Sequence, residues 1–299
     1  MDVLTDVCAN LRLRAGMLFS AELAAPFSVG LPQEARQIRF HLLLEGELHL
    51  SLSGHWTRVI AAGDMVLVTE GAEHGLMSGP GAGTPLPVSA LMAANSAADG
   101  VIRLGAPAAA CLLSGYFDFD PAVRHPLLSD LPAMLTLRQD DTAFVAGLRL
   151  MREEAQGGAG AEFVLHRTAE VLLIRCLRQL ALAEGAGFLA ALDDPALARC
   201  LAAIHRAPGQ DWTVAALARE AKLSRSILSE RFTAKVGMPP VAYLTLWRMI
   251  LARRMLSDTV LTVEEVAARS GYASLPAFSR RFSQMFGKGP GPWRRDRGA

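Results

Sequence analysis

The sequence predicts an α+β protein, with a small N-terminal β-barrel, a helical segment and an all-α C-terminal domain that carries two helix-turn-helix units. Three observations predict it. One stretch of the last third maps onto another at a fixed offset of fifty residues, short β-type blocks broken by glycine turns fill the first hundred residues, and charge segregates by sign along the chain.

The repeat fixes the C-terminal part. Leu217-Ala218-Arg219 matches Ala267-Ala268-Arg269, Ser224 matches Ser274, Leu228-Ser229 matches Phe278-Ser279, Arg231-Phe232 matches Arg281-Phe282, Gly237 matches Gly287 and Pro240 matches Pro290. Self-similarity at one period marks a supersecondary unit used twice. Each copy reads as a short helix, a turn and a second amphipathic helix that ends at glycine, which is a helix-turn-helix. In the first copy Thr213 caps a helix with Val214, Leu217, Ala218 and Ala221 on one face, and Ser224 caps a second with Ile227, Leu228 and Phe232 inward. In the second, Thr262 caps a helix carrying Val263, Val266 and Ala267, and Gly271 supplies the turn. Ser274 then caps a helix that buries Phe278 and Phe282, with Pro276 in its first turn, where a missing N–H costs little. A purely structural helical array is the alternative, but such arrays need about three or more repeats.

Charge favours nucleic acid. From His205 to Ala299 there are 16 Lys/Arg against 7 Asp/Glu, a balance of +9, while residues 1–204 hold 14 against 22, a balance of −8. A basic module on an acidic body is what neutralising DNA phosphates requires. A merely solvated helical surface does not predict that segregation.

The chain of 299 residues, 51% hydrophobic, is long enough for two filled cores. Its first residues include Asp2 and Asp6 and lack the basic stretch and apolar run of a signal peptide. The leucine-rich segment Val171–Ala183 is interrupted by Arg175 and Arg178, so no membrane span is expected and a cytoplasmic protein is. Cys8, Cys111, Cys176 and Cys200 are scattered without a C-x-x-C pair, which excludes metal-finger spacing. They are expected to be free and mostly buried, with redox sensing at Cys8 as the alternative.

In the first hundred residues, Arg36–Leu52 and Trp56–Val68 read as strands separated by turns at Glu45-Gly46, Ser53-Gly54 and Ala62-Gly63-Asp64. Alternation puts Phe40, Leu42 and Leu44 on one face and Arg39, His41, Leu43 and Glu45 on the other. Short strands with glycine turns indicate a small barrel or jelly roll. Gly79–Pro87 reads as a loop, and strands resume at Val101–Leu104 and Ala110–Phe119 before Pro121, Pro126 and Pro132 break the chain. Asp141–Glu154 and Ala161–Glu184 have helical spacing, and Gly185–Gly187 and Asp193-Asp194-Pro195 lead to the basic domain. The expected division is a sensor domain over 1–120, a helical dimerisation segment over 121–194 and a DNA-binding domain over 195–299, with its two units at about 213–236 and 262–286.

The C-terminal blocks Trp212–Arg219, Met238–Leu244, Trp247-Arg248-Met249, Gly271-Tyr272, Phe278–Phe282 and Gly289–Arg294 resemble those of the AraC/XylS transcriptional regulators. In the N-terminal part Phe40–Gly46, Ala62-Gly63-Asp64 and Gly71–His74 resemble the cupin sensor domains of such regulators. The resemblance implies two subdomains joined by a long helix, near Pro240–Leu256, with each recognition helix in a major-groove segment. It places Ser226, Ser229 and Glu230 of the first unit, and Leu275, Pro276, Ser279 and Arg280 of the second, near bases. Arg280 is equipped for bidentate guanine contact and Glu230 for accepting from cytosine N4. Leu275 and Pro276 depart from the polar residues many members carry, so the second unit is expected to rely more on phosphates, thymine methyls or DNA shape. Arg225, Arg231, Lys235, Arg248 and Arg281 are expected at phosphates or in structural roles.

A metal-binding cupin has an H-x-H, a Glu and a later His; here Arg39 replaces the first His and leaves His41, Glu45 and His74. Those three form a candidate set for a divalent transition metal. With Arg39 they are otherwise an effector pocket for an anionic or metal-bound small molecule. The expected partners are double-stranded operator DNA, a second copy of the chain packed through Ala161–Glu184 by Leu173 and Leu177, RNA polymerase if the protein activates, and a small-molecule effector. Two alternatives remain: control by cysteine oxidation or a partner protein, and a cupin metalloenzyme, a dioxygenase or isomerase, with an appended DNA-binding domain.

Overall fold

The computed structural model describes residues 2–11, 13–34, 37–52, 56–94, 101–119, 125–183 and 187–296. Arg36, Ser53-Gly54, Pro121, Glu184 and Gly185, named in the sequence expectations, lie outside them. The chain divides into two compact units, one of Leu13–Phe119 and Leu131–Leu177, the other of Met1–Arg12, Asp120–Asp130 and Arg178–Ala299. The N-terminal residues and the segment before Leu131 therefore group with the C-terminal helices.

The first unit is built on a ten-stranded sheet: β1 (Arg14–Leu23), β2 (Ser28–Leu31), β3 (Gln37–Leu52), β4 (Trp56–Ala61), β5 (Met65–Val68), β6 (His74–Met77), β7 (Leu86–Pro87), β8 (Val101–Leu104), β9 (Ala110–Asp118) and β10 (Met134–Leu137). Among the described residues the α-helices are α1 (Val3–Leu11), α2 (Val88–Ala94), α3 (Pro126–Ser129), α4 (Val145–Glu154), α5 (Ala161–Ala183), α6 (Gly187–Asp193), α7 (Pro195–Arg206), α8 (Val214–Ala221), α9 (Arg225–Val236), α10 (Pro240–Asp258), α11 (Val263–Arg269), α12 (Leu275–Phe286) and α13 (Pro290–Arg295).

β3 organises the barrel because its two halves pair differently. Arg39–Leu42 lie between β5 and β9, whereas His49–Leu52 lie between β4 and β6. One strand thus joins both halves of the sheet around a single apolar interior that includes Phe19, Leu43, Leu48, Leu50, Val66, Val68 and Leu112. Between the halves the register passes from Leu43↔Leu112 to Glu45↔Cys111, so Leu44 is unpaired. A bulge of one residue reverses the side-chain alternation beyond it. Both faces of β3 are buried before the bulge, but the apolar interior takes odd-numbered Leu43 before it and even-numbered Leu48 and Leu50 after it. Gly46 makes this possible: it sits at φ +84, and a Cβ there would lie 1.9 Å from the Ala109 carbonyl oxygen.

Two sequence expectations are corrected here. Glu45-Gly46 is not a turn but a bulge within a continuous strand. Glu45 does not share a face with His41; the bulge turns it outward and leaves it exposed.

The expected dimer face is also corrected. Leu173 and Leu177 of α5 are 0% and 1% exposed within the single chain, so they belong to its core. Charging either would disrupt folding rather than separate subunits. α5 lies beside β1, where the Ala15 N–H donates to Glu170 Oε1 at 3.2 Å.

The second unit draws on distant parts of the chain. In α1, Asp6 Oδ2 accepts from His205 Nδ1 of α7 at 2.8 Å, and Asn10 Oδ1 accepts from Arg254 Nη1 of α10 at 2.8 Å. The buried Tyr243 hydroxyl of α10 lies 2.8 Å from His205 Nε2 and 3.2 Å from His125 Nε2. His125 Nδ1 accepts from the Leu127 N–H, so the ring's proton is on Nε2 and points at Tyr243. Satisfied buried networks of this kind rigidify a core. Farther along, Phe278, Phe282, Phe286 and Trp293 form a ring cluster with centroid separations of 4.6 to 6.0 Å. Among the described residues no helix is long and apolar enough to cross a membrane.

Candidate nucleic-acid interface and sensor interior

Local capping chemistry sets the helices that would meet DNA. Thr213 accepts from the Ala216 N–H at the start of α8, and Ser224 accepts from the Ile227 N–H at the start of α9. Between them Lys222 turns the chain at φ +57, in the left-handed region. In the second copy Thr262 and Glu265 form a capping box at α11, and Gly271 makes the turn at φ +75. Ser274 precedes α12 without a side-chain cap bond, and Pro276 occupies the first turn.

Leu228, Phe232 and Val236 of α9, and Phe278 and Phe282 of α12, are buried. Arg225, Ser226, Glu230 and Arg231 are exposed on α9, as are Pro276, Arg280 and Arg281 on α12; Ser229, Leu275 and Ser279 are half-buried. Ile227, expected inward, is 45% exposed. It precedes Leu228 by one residue, about 100° of helix rotation, which takes it off the buried face.

The basic residues divide by what they touch. Arg231 bonds Asp194 Oδ2, and Lys235 lies 3.7 Å from the same carboxylate, which also caps α7. Both therefore tie α9 to α7. Arg248 donates to the carbonyls of Pro208 and Gln210, each at 2.7 Å, and stacks over Tyr272 at 5.9 Å. It joins the loop before α8 to the turn of the second unit. Gly271 is required beside it, because a Cβ there would meet Arg248 Nη2 at 2.6 Å. Arg281 lies beside Tyr272. Arg225 and Arg280 have no ion-pair partner among the described residues and face solvent. Lys222, which the motif reading passed over, is likewise exposed at the turn between α8 and α9. Its signal was only a lysine in a turn.

Inside the barrel three of the four expected residues come together. His41 Nε2 lies 2.8 Å from His74 Nε2, both rings are buried, and Arg39 precedes His41 by two residues on the same face. His74 Nδ1 is 2.7 Å from the Ala72 carbonyl, which can only accept. In a neutral ring its Nε2 is then an acceptor, so His41 Nε2–H donates to it, and His41 Nδ1 accepts from the Ser114 hydroxyl at 2.8 Å. The chain of donors is complete with both rings uncharged. Burial, the neighbouring ring and Arg39 push His41 well below its usual value; burial and then Arg39 push His74 down to about 4. Ser114 was not foreseen; the trace of it is a lone hydroxyl in the apolar run Cys111–Gly115.

Glu45 instead lines a surface cleft of about 420 Å³ with Leu44, Arg149, Arg152, Glu153 and Gln156. The three-ligand metal set therefore does not assemble. Among the described residues no group of three His, Cys, Asp or Glu side chains could hold a metal ion.

Comparison with known proteins agrees with both halves. Residues 2–181 match a family described as Cupin, and residues 217–296 match a helix-turn-helix domain family. A Streptomyces lividans protein described as an AraC-like transcription regulator is 32% identical over 304 residues, covering 99% of this chain and 98% of that one. The HTH-type transcriptional regulator AlkR of Acinetobacter baylyi is 29% identical over 268 residues, 85% of this chain and 86% of AlkR. Among solved structures, the DNA-binding domain of AdpA in complex with a target DNA is 30% identical, spans 34% of this chain and 92% of that one, and has a TM-score of 0.33. With a cupin domain ahead of two helix-turn-helix units and a relative matched over nearly its whole length, this chain belongs to the AraC-like transcription regulators, which bind DNA.

Proposed function

We propose that this DNA-binding regulator is controlled by a small-molecule effector held inside the barrel at Arg39, His41 and His74, with Ser114 fixing His41. One observation carries the reading: a buried polar cluster stands in an otherwise apolar interior, with its histidine pair locked in one tautomer. Polar groups set in apolar surroundings orient a bound ligand. It regulates if the ligand favours one of two arrangements of the protein over the other.

Neither alternative has comparable support. Burial raises the thiols of Cys8 to about 11 and of Cys176 and Cys200 to about 12, and raises that of Cys111 as well, so none is poised as a reactive thiolate. The metalloenzyme reading loses its carboxylate with Glu45. His41 and His74 offer two nitrogens, short of the three protein ligands usual at zinc, and the charge of Arg39 opposes a cation there.

The test is operator binding by the full chain, screened against small organic acids, alcohols and amines, for wild type and for His41→Gln combined with His74→Gln. The double variant is expected to keep basal DNA affinity while losing a response of tenfold or more seen in wild type. A response retained in the double variant, or one elicited only by oxidant, would contradict the proposal. One equivalent of transition metal in purified wild type would contradict the metal-free form of it.

A further inference from the structure

We infer that the effector is a monoanion, a carboxylate on an apolar body, and that Arg39 holds its charge; this rests on the barrel being the sensor site. Arg39 is 5% exposed, and neither its Nε nor its Nη1 has a hydrogen-bond partner. Its nearest carboxylate, on Glu34, is 4.0 Å from Nη2, beyond hydrogen-bonding distance, and that side chain is 56% exposed. A guanidinium carries five N–H donors and does not lose its charge, so burying it without an acceptor is costly in a way that a titrating group would escape. The protein leaves the donors on Nε and Nη1 unmatched, and their complement is an acceptor-only group.

The surroundings narrow the class. Two neighbouring rings could have tripled the positive charge, but the hydrogen bonds from Ser114 through His41 and His74 to the Ala72 carbonyl keep both neutral. The buried cluster therefore carries one positive charge, which the exposed Glu34 faces at 4.0 Å without a hydrogen bond; inside the barrel a monoanion balances it and a phosphate dianion overfills it. A planar carboxylate also matches the guanidinium fork, taking two parallel N–H bonds. Val68, in register with Arg39, and Val66, in register with His41, belong to the apolar cluster, so the rest of the ligand meets hydrocarbon.

The account also predicts the empty protein's behaviour. An unmatched buried charge destabilises, so Arg39→Met, similar in length and uncharged, should melt no lower than wild type in the absence of ligand. Binding to the folded state raises the melting temperature by mass action.

The experiment is thermal melting and calorimetric titration of the full chain with octanoate, octan-1-ol and octylamine, for wild type, Arg39→Met and Arg39→Lys. Octanoate is expected to stabilise wild type more than either matched compound, to bind Arg39→Met at least tenfold more weakly, and to bind Arg39→Lys with an intermediate affinity. Equal effects of octanoate and octanol on wild type would overturn the inference. So would Arg39→Met retaining octanoate affinity within twofold, or that variant melting lower or failing to fold without ligand, since the guanidinium would then be satisfied by the protein itself. Parallel operator-binding measurements separate the two proposals. Arg39-dependent octanoate binding that leaves DNA affinity unchanged supports the anion site and removes the sensor reading. Octanol or octylamine shifting DNA affinity through His41 and His74, with octanoate inert, overturns the carboxylate alone.

Discussion

Arg39 in the barrel and Arg280 on α12 both lack a carboxylate partner within hydrogen-bonding distance, yet they stand in opposite environments. Arg39 is buried, with two nitrogens unmatched, whereas Arg280 is exposed and water satisfies it. Solvent decides what the missing partner means. For an exposed guanidinium the free state costs nothing, and a DNA phosphate or guanine edge competes only with water. For a buried one the free state is unfavourable, and ligand binding relieves it. Arg231 and Arg248 are a third kind, already committed to Asp194 and to two backbone carbonyls, and they shape the DNA-binding unit rather than read sequence.

The largest effect expected from this contrast is on acid stability. His74 is held near 4 in the folded protein against about 6.5 when unfolded, so between those values the unfolded chain binds more protons. Stability contributed by the neutral ring is therefore full above pH 6.5, falls as the pH drops toward 4, and falls no further below it. Each shifted histidine contributes at most about 1.4 kcal/mol per pH unit, so His74 alone accounts for roughly 3 kcal/mol, with His41 acting in the same direction. Denaturant melts from pH 7 to 4 should show a shallower pH dependence in His74→Gln than in wild type. Parallel curves would mean that the pair is not neutral.

Arg248→Met comes next. It frees two carbonyls and unstacks Tyr272, so a stability loss of about 2–4 kcal/mol is expected by chemical denaturation, because a hydrogen bond to a charged group contributes about 1.5–3 kcal/mol and the exposed one to Gln210, which water replaces, contributes less. A variant of wild-type stability with weakened DNA binding would instead return Arg248 to the phosphate contacts. A smaller effect separates the two helix-turn-helix units. Ser224→Ala removes a side-chain cap and should cost about 1 kcal/mol, whereas Ser274→Ala removes none and should be near neutral. Equal costs in thermal melts would show that the two copies are capped alike.

The fifty-residue repeat, the caps at Thr213, Ser224 and Thr262 and the buried Phe232, Phe278 and Phe282 were legible in sequence because helix ends and amphipathic faces are set by neighbours three or four residues away. The meeting of His41 with His74 was legible from the cupin resemblance, which pairs a histidine of the first strand block with a later one, and not from alternation along one strand. Glu45 was misplaced because the bulge at Leu44 depends on the pairing of β3 with β9, about seventy residues on, and alternation counted along one strand cannot register an unpaired residue. Asp6 carried no visible signal at all: its partner, His205, lies 199 residues away. Ile227 failed for a smaller reason, since a single helical step separates the buried face from the solvent face.

Arg280 offers the most direct test of sequence reading by the second unit. The measurement is selection of bound duplexes from a randomised DNA pool by the full chain and by Arg280→Ala, with affinities for the selected and a random sequence taken across a salt series. The account predicts that wild type selects two half-sites about one helical turn apart, and that Arg280→Ala loses preference at one guanine at a cost of about 1–3 kcal/mol on the selected sequence while random DNA is bound nearly as before. An unchanged selected motif, with equal loss on selected and random DNA and a shallower salt slope, would contradict it and reduce Arg280 to a phosphate contact.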